Sequence, residues 1–161
     1  MKVKSITTIV AISLLSLGSV LANPKLIQET LYNVVGAEAY AQSSSIAPLA
    51  KKLHGKPVVI DIYASWCPAC QNIAPTVSQL KQQYAGKVHF VVLDVSDRAS
   101  TAKSEAIARE LGLSQFLADN KTQTGSLTIV NPSTGKILSQ QRNNANKSAY
   151  TKVLDSALAG M

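Results

Sequence analysis

With 161 residues, 46% of them apolar, the chain can bury one sizeable core and has too little material for two ordinary domains. Its net charge of +7 is spread thinly, with Lys51-Lys52 its one basic doublet and no interleaving of basic and aromatic residues. That excludes a nucleic-acid-binding face and leaves the charge to serve solubility, with weak attraction to acidic partners or lipid headgroups at most.

Lys2 and Lys4 precede an uncharged run over residues 6–22, interrupted only by Gly18 and closing on Val20-Leu21-Ala22. This is the layout of a secretory signal, with cleavage expected after Ala22. The rival is a retained membrane anchor, for which 17 residues carrying Thr7, Thr8, Ser13, Ser16 and Ser19 are short. A second small-residue site, Ala39-Tyr40-Ala41, lies too far beyond the apolar run to be preferred. Cleavage removes two basic and no acidic residues, lowering the net charge from +7 to +5. Export to a periplasmic, lumenal or other extracytoplasmic space places the mature chain where disulfides persist.

Residues 23–44 read as a lead segment or tether, amphipathic around Leu26, Leu31, Val34 and Val35 and then polar; residues 45–161 read as the folded domain. "SIAPLAKKL", residues 45–53, predicts a short helix stopped by Gly55-Lys56-Pro57. Residues 58–63 form a β-branched and aromatic run whose near-continuous apolarity fits a central strand covered on both faces. A helical stripe follows over residues 71–84, with Ile73, Val77, Leu80 and Tyr84 on one face, Pro75 within it and Gly86 as its stop. Residues 88–95 predict a second buried strand, and 103–111 a helix capped by Gly112. Residues 114–126 form a polar, irregular span. A strand at 127–130, a turn at 131–135 and a partner strand from Lys136 make a hairpin. Tyr150, Val153, Leu154, Ala157 and Leu158 mark a closing helix. This order predicts an α/β fold, a central mixed β-sheet flanked by helices, with the first two core strands parallel and joined by a crossover helix.

The two cysteines of the chain, Cys67 and Cys70, lie in "DIYASWCPAC" at the carboxyl end of the first strand, where the next helix begins. A thiol reacts as its thiolate, and the free N–H groups and dipole of a helix N-terminus stabilise that charge. Cys67 is placed to benefit, and Pro68 suits the first helical turn because its missing N–H has no partner to lose there. Cys70 lies one turn further in, so one sulfur attacks and the other resolves. A zinc site is disfavoured, because two cysteines supply half a tetrahedral shell and His54 and His89 have no paired metal spacing. An inert staple is disfavoured because the loop it would close is so short. Asp61 lies within the apolar strand, where ionisation is costly; its pKa should rise, placing it to exchange a proton with Cys70, the alternative being a strand-end acid facing water.

The segment "YASWCPACQNIAP" resembles the active-site segment of the thioredoxin superfamily. The likeness includes Trp66 before the first cysteine, Asp61 in the preceding strand, Pro75 five residues after the second cysteine and "YAGK" before the next strand. It extends to the strand and helix order from Ser45 to the C-terminus and implies a thioredoxin-like fold. It also implies an exported thiol–disulfide oxidoreductase with Cys67, Cys70 and Asp61 catalytic and with Trp66 and Pro68 facing substrate. The same resemblance implies no metal or organic cofactor, protein clients carrying disulfides or thiols, a monomeric state, and a membrane thiol carrier as electron donor if the protein reduces its clients. Reduction is favoured over the alternatives of a disulfide-forming oxidase or isomerase and of a non-catalytic binding or holdase domain.

Two departures stand out. Members of the family usually carry a lysine beside the buried acid on the next strand, where this chain has Val92 as the nearest equivalent. The family's cis-proline ahead of the third core strand is replaced by Thr124-Gly125-Ser126. A cis bond before a non-proline residue costs about 2.5–4 kcal/mol, so a trans Thr124–Gly125 bond is expected. Gly125, which has no side chain to obstruct a client backbone, is expected to border the site, with residues 114–126 as a client-selecting wall.

Overall fold

A computed structural model describes residues 44–161, so the expected signal segment at 1–22 and nearly all of the 23–44 lead segment lie outside the described residues. Among the described residues no helix is long and apolar enough to cross a membrane.

The Val- and Ile-rich run Val58–Tyr63 is β1, and it occupies an interior position in a sheet of order β2-β1-β3-β4. His89–Asp94 (β2) pairs parallel to β1, which obliges the chain to cross over through the helix Pro68–Gln83 (α1). Ser126–Val130 (β3) pairs antiparallel with β1, and Ile137–Arg142 (β4) antiparallel with β3, with a register shift at Ile129/Val130. The helices Arg98–Leu111 (α2), Ser114–Asn120 (α3) and Lys147–Ala159 (α4) complete the layers. The sheet is therefore mixed and flanked by helices, with its first two strands parallel, as the sequence predicts.

Strand side chains alternate between faces. Val58, Ile60 and Ile62 join Val91, Leu93 and residues of α2 and α3 in one apolar cluster. Val59 joins Leu127, Ile129 and residues of α1 and α4 in the other. Asp61 shares the second face, being an even number of positions from Val59 and directly opposite Leu127 of β3. The end of β1 thus delivers the cysteines to the start of α1, and the acid beneath them to the side that α1 covers.

Four expected elements differ. The strand expected to be buried over residues 88–95 is β2, at the edge of the sheet among the described residues, with Val91 and Leu93 its buried residues. The helix expected over residues 45–53 is only a 3₁₀ turn at Lys51–Leu53. Tertiary pairing overrides the local pattern here: Ser45 bridges to Lys136, and the Ile46 N–H donates to the Gly135 carbonyl at 2.9 Å. The approach demands a glycine, since a Cβ at residue 135 would lie 1.9 Å from the Ile46 carbonyl oxygen. The span 114–126, expected to be irregular, contains α3, which inserts Phe116 and Leu117 into the core. Two apolar residues among polar neighbours gave too short a stripe to read as a helix. α2 also begins earlier than expected, at Arg98, because Asp97 caps it by accepting the Ser100 N–H at 2.7 Å.

Candidate active site

Cys67 is the N-cap of α1, with extended backbone angles, and its Sγ accepts the Cys70 N–H at 3.2 Å. Pro68 follows at the first helical position and is exposed. Burial opposes ionisation of Cys67, which is only 2% exposed. Hydrogen bonds from the Cys70 and Thr124 side chains and from the backbone N–H groups of Cys70 and Ala69 outweigh it, so the Cys67 pKa lies below that of an ordinary cysteine.

Cys70 has the opposite setting. Burial, its hydrogen bond to Cys67 and the nearby charges of Cys67 and Asp61 push its pKa up to about 11, although its sulfur also faces the Ala64 N–H at 3.5 Å. The Ile62 carbonyl lies 3.9 Å from the same sulfur, an acceptor for the thiol proton. One helical turn therefore separates a thiol disposed to ionise from one disposed to keep its proton.

Asp61 is 8% exposed, and its Oδ1 has no hydrogen-bond partner. Burial raises its pKa to about 6, against the attraction of Lys81. Asp61 and Cys70 line a common cavity of about 350 Å³, with Tyr63, Ala74, Ser78 and Lys81 also in its wall. The register sets Val92 beside Asp61 on β2, so the neighbouring strand supplies no charge.

Trp66 is 62% exposed and held in place. Its indole N–H donates to the Ser96 carbonyl at 2.9 Å, the Ser65 N–H donates to Ser96 Oγ at 2.8 Å, and Asp94 accepts the Ser96 N–H at 2.8 Å. The loop after β2 thus fixes an aromatic plate beside Cys67. On another side, Gly125 has φ +79° and a trans peptide, and its N–H donates to the Ile62 carbonyl at 2.8 Å. A Cβ there would lie 2.5 Å from Ala69 Cβ and 3.1 Å from the Cys70 nitrogen, so only glycine lets this backbone approach the cysteine loop. Thr124 is buried beside it.

The structure thus gathers Cys67, Cys70, Asp61, Trp66, Pro68 and Gly125 around the start of α1. His54 and His89 stand apart: His54 Nε2 lies 3.0 Å from the Leu49 carbonyl, and His89 opens β2 at the opposite end of the sheet from the cysteines. Sequence reasoning assigned nothing to Thr124, Ser96 or Lys81. For Lys81 a signal existed, because Cys70, Ala74, Val77 and Lys81 follow helical spacing and share one face of α1. Nothing in the sequence marks Ser96 or Thr124 for these contacts.

The family model described as Thioredoxin matches residues 44–124, half of the chain. The chain belongs to the thioredoxin family. It is 40% identical over 63 residues to the "Thiol:disulfide interchange protein TxlA homolog" of Synechocystis sp., covering 38% of this chain and 35% of that protein. It is 43% identical over 56 residues to "Thioredoxin-like protein HCF164, chloroplastic" of Arabidopsis thaliana, covering 34% and 22%. With "Thioredoxin H-type" of Chlamydomonas reinhardtii it shares 45% over 62 residues, covering 38% and 55%. The matched region spans from about a fifth to about half of the length of these relatives.

Proposed function

We propose that the protein is an exported oxidoreductase that reduces disulfides in client proteins through Cys67 and Cys70. The observation that carries this reading is the opposed setting of the two thiols, one lowered at a helix N-cap and one raised to about 11 a turn away. The Cys67 thiolate attacks a client disulfide, that S–S bond breaks, and the departing client thiolate takes up a proton. A Cys67–client mixed disulfide remains. Cys70 then gives its proton to Asp61, attacks the Cys67 sulfur and releases the second client thiolate. The client gains two electrons and the Cys67–Cys70 disulfide forms. A membrane thiol carrier would restore the dithiol, which suits export; the charged-then-apolar leader at 1–22 supports that location. Trp66, Pro68 and Gly125 form the surface on which the client rests. Ala69 adds no side-chain donor to Cys67, which would otherwise stabilise the thiolate further and favour an oxidant.

Trapping tests the order of attack. Cys70→Ser should accumulate covalent client adducts that a reductant releases, and Cys67→Ser should accumulate none; equal trapping by both contradicts the assignment. A redox titration sets the direction. A potential near or below about −270 mV supports reduction, whereas one near about −120 mV makes the protein an oxidant.

A further inference from the structure

The wall of the cavity beneath Cys70 contains one cation. Cys70, Ala74, Val77 and Lys81 succeed one another at helical spacing along α1, and the small side chains of Ala74 and Ser78 leave the trough between them open. At one end lies the resolving thiol. Facing the trough from β1 is a carboxylate more than nine-tenths buried, with an oxygen that no protein group satisfies. The volume of about 350 Å³ has room for several waters.

The groups around Asp61 can be taken element by element. α1 contributes Cys70 and Lys81, and β1 contributes Tyr63. β2 and β3 set Val92 and Leu127 directly beside the acid, neither of which titrates. From α4 comes Tyr150, whose hydroxyl donates to the Asn144 carbonyl at 2.8 Å and is therefore committed elsewhere. Its pKa is raised by burial and by the Asp61 charge, so it offers that charge no compensation. Lys81 is the remaining group able to favour the ionised acid.

We propose that Lys81 is a positioning residue for the resolving step, holding Asp61 in its ionised, proton-accepting form from across the trough. This rests on the reading of Asp61 as the base for Cys70. A carboxylate without this cation would stay protonated to higher pH, so less of the base would be present to receive the thiol proton around and below its titration midpoint. Lys81 opposes the effect of burial on Asp61, in the direction this role requires. Because Lys81 is exposed, its replacement leaves the packed core untouched.

The test uses the full chain and two readouts. Carbon NMR titration follows the Asp61 carboxyl in the wild type, Lys81→Met and Lys81→Arg. Single-turnover resolution of a preformed mixed disulfide is followed against pH in the same proteins and in Asp61→Asn. Lys81→Met should move both the Asp61 titration and the midpoint of the resolution profile upward by about half a unit or more, which slows resolution about three-fold below the midpoint. Lys81→Arg should restore both. An Asp61 titration unmoved by Lys81→Met overturns the inference whatever happens to the rate, and so does a titration that moves while the resolution profile does not. Asp61→Asn separates the two claims: if it abolishes the pH dependence while Lys81→Met changes nothing, the base stands and the role of Lys81 falls. If Asp61→Asn leaves the profile unchanged, the reading of Asp61 as base fails, and with it the role of Lys81.

Discussion

The two faces of the sheet differ in how they treat a polar group. Toward α2 and α3, β1 presents Val58, Ile60 and Ile62 to an apolar cluster that includes Leu93, Leu113 and Phe116. Toward α1 and α4 the same strand presents Val59 and then Asp61, above an open trough with a thiol at one end. Both faces hold polar atoms without partners. On the first they are the hydroxyls of Ser126 and Thr128, which the register sets opposite Ile62 and Ile60; on the second it is Asp61 Oδ1. A hydroxyl without a partner carries a fixed cost, whereas a carboxylic acid can shed its charge and so makes the cost depend on pH. One face carries an unpaired cost that pH does not change, and the other a titratable one beside Cys70.

The largest effect should come from the inert face. Leu93→Ala, at a fully buried position on β2, should destabilise the domain by about 2–5 kcal/mol in denaturant unfolding. The remaining folded protein should resolve mixed disulfides at the wild-type rate. A slowed resolution in the folded fraction would break the separation of the faces.

Next comes Asp61→Asn, read as stability against pH. The folded pKa of Asp61, about 6, lies above its reference value of 3.8. The neutral acid therefore contributes stability that is fully present below the reference value and is lost as pH rises through about 6. The loss amounts to about 3 kcal/mol. Asparagine stays neutral, so the variant should gain on the wild type as pH rises and be the more stable by up to about 3 kcal/mol above neutrality. The smallest effect is its counterpart on the other face. Thr128→Val removes an unsatisfied hydroxyl and should stabilise by about 1 kcal/mol at every pH. Parallel pH curves for wild type and Asp61→Asn, or a pH-dependent gain for Thr128→Val, would reverse the contrast.

Much of this contrast was legible in the sequence, because β1, α1 and β2 carry unbroken apolar patterns and an acid stands out in one of them. Helix starts set by polar caps were harder to read, as the Asp97 cap of α2 shows. Elements decided by distant contacts left the weakest trace. Residues 44–50 follow Lys136 and Gly135 and not their own helical spacing, and α3 buries only Phe116 and Leu117. In the site, the cysteines and Asp61 are marked by residue type. Gly125 stood out as the residue where the family places its proline, and its φ of +79° against Ala69 supplies the physical reason for a glycine. Helical spacing puts Lys81 on the face of α1 that carries Cys70, but that this face covers Asp61 is seen only once the helix is folded over β1.

The central claim is that one turn of helix divides the two thiols into a nucleophile and a proton-holding partner. Thiolate ultraviolet absorbance of the reduced protein, titrated against pH in the wild type and in each single Cys→Ser variant, measures it directly. The account predicts two separated steps, the first below the ordinary cysteine value of about 8.5 and missing in Cys67→Ser, the second near about 11. Two thiols titrating together near about 8.5, or a low step that survives Cys67→Ser and vanishes in Cys70→Ser, would contradict it.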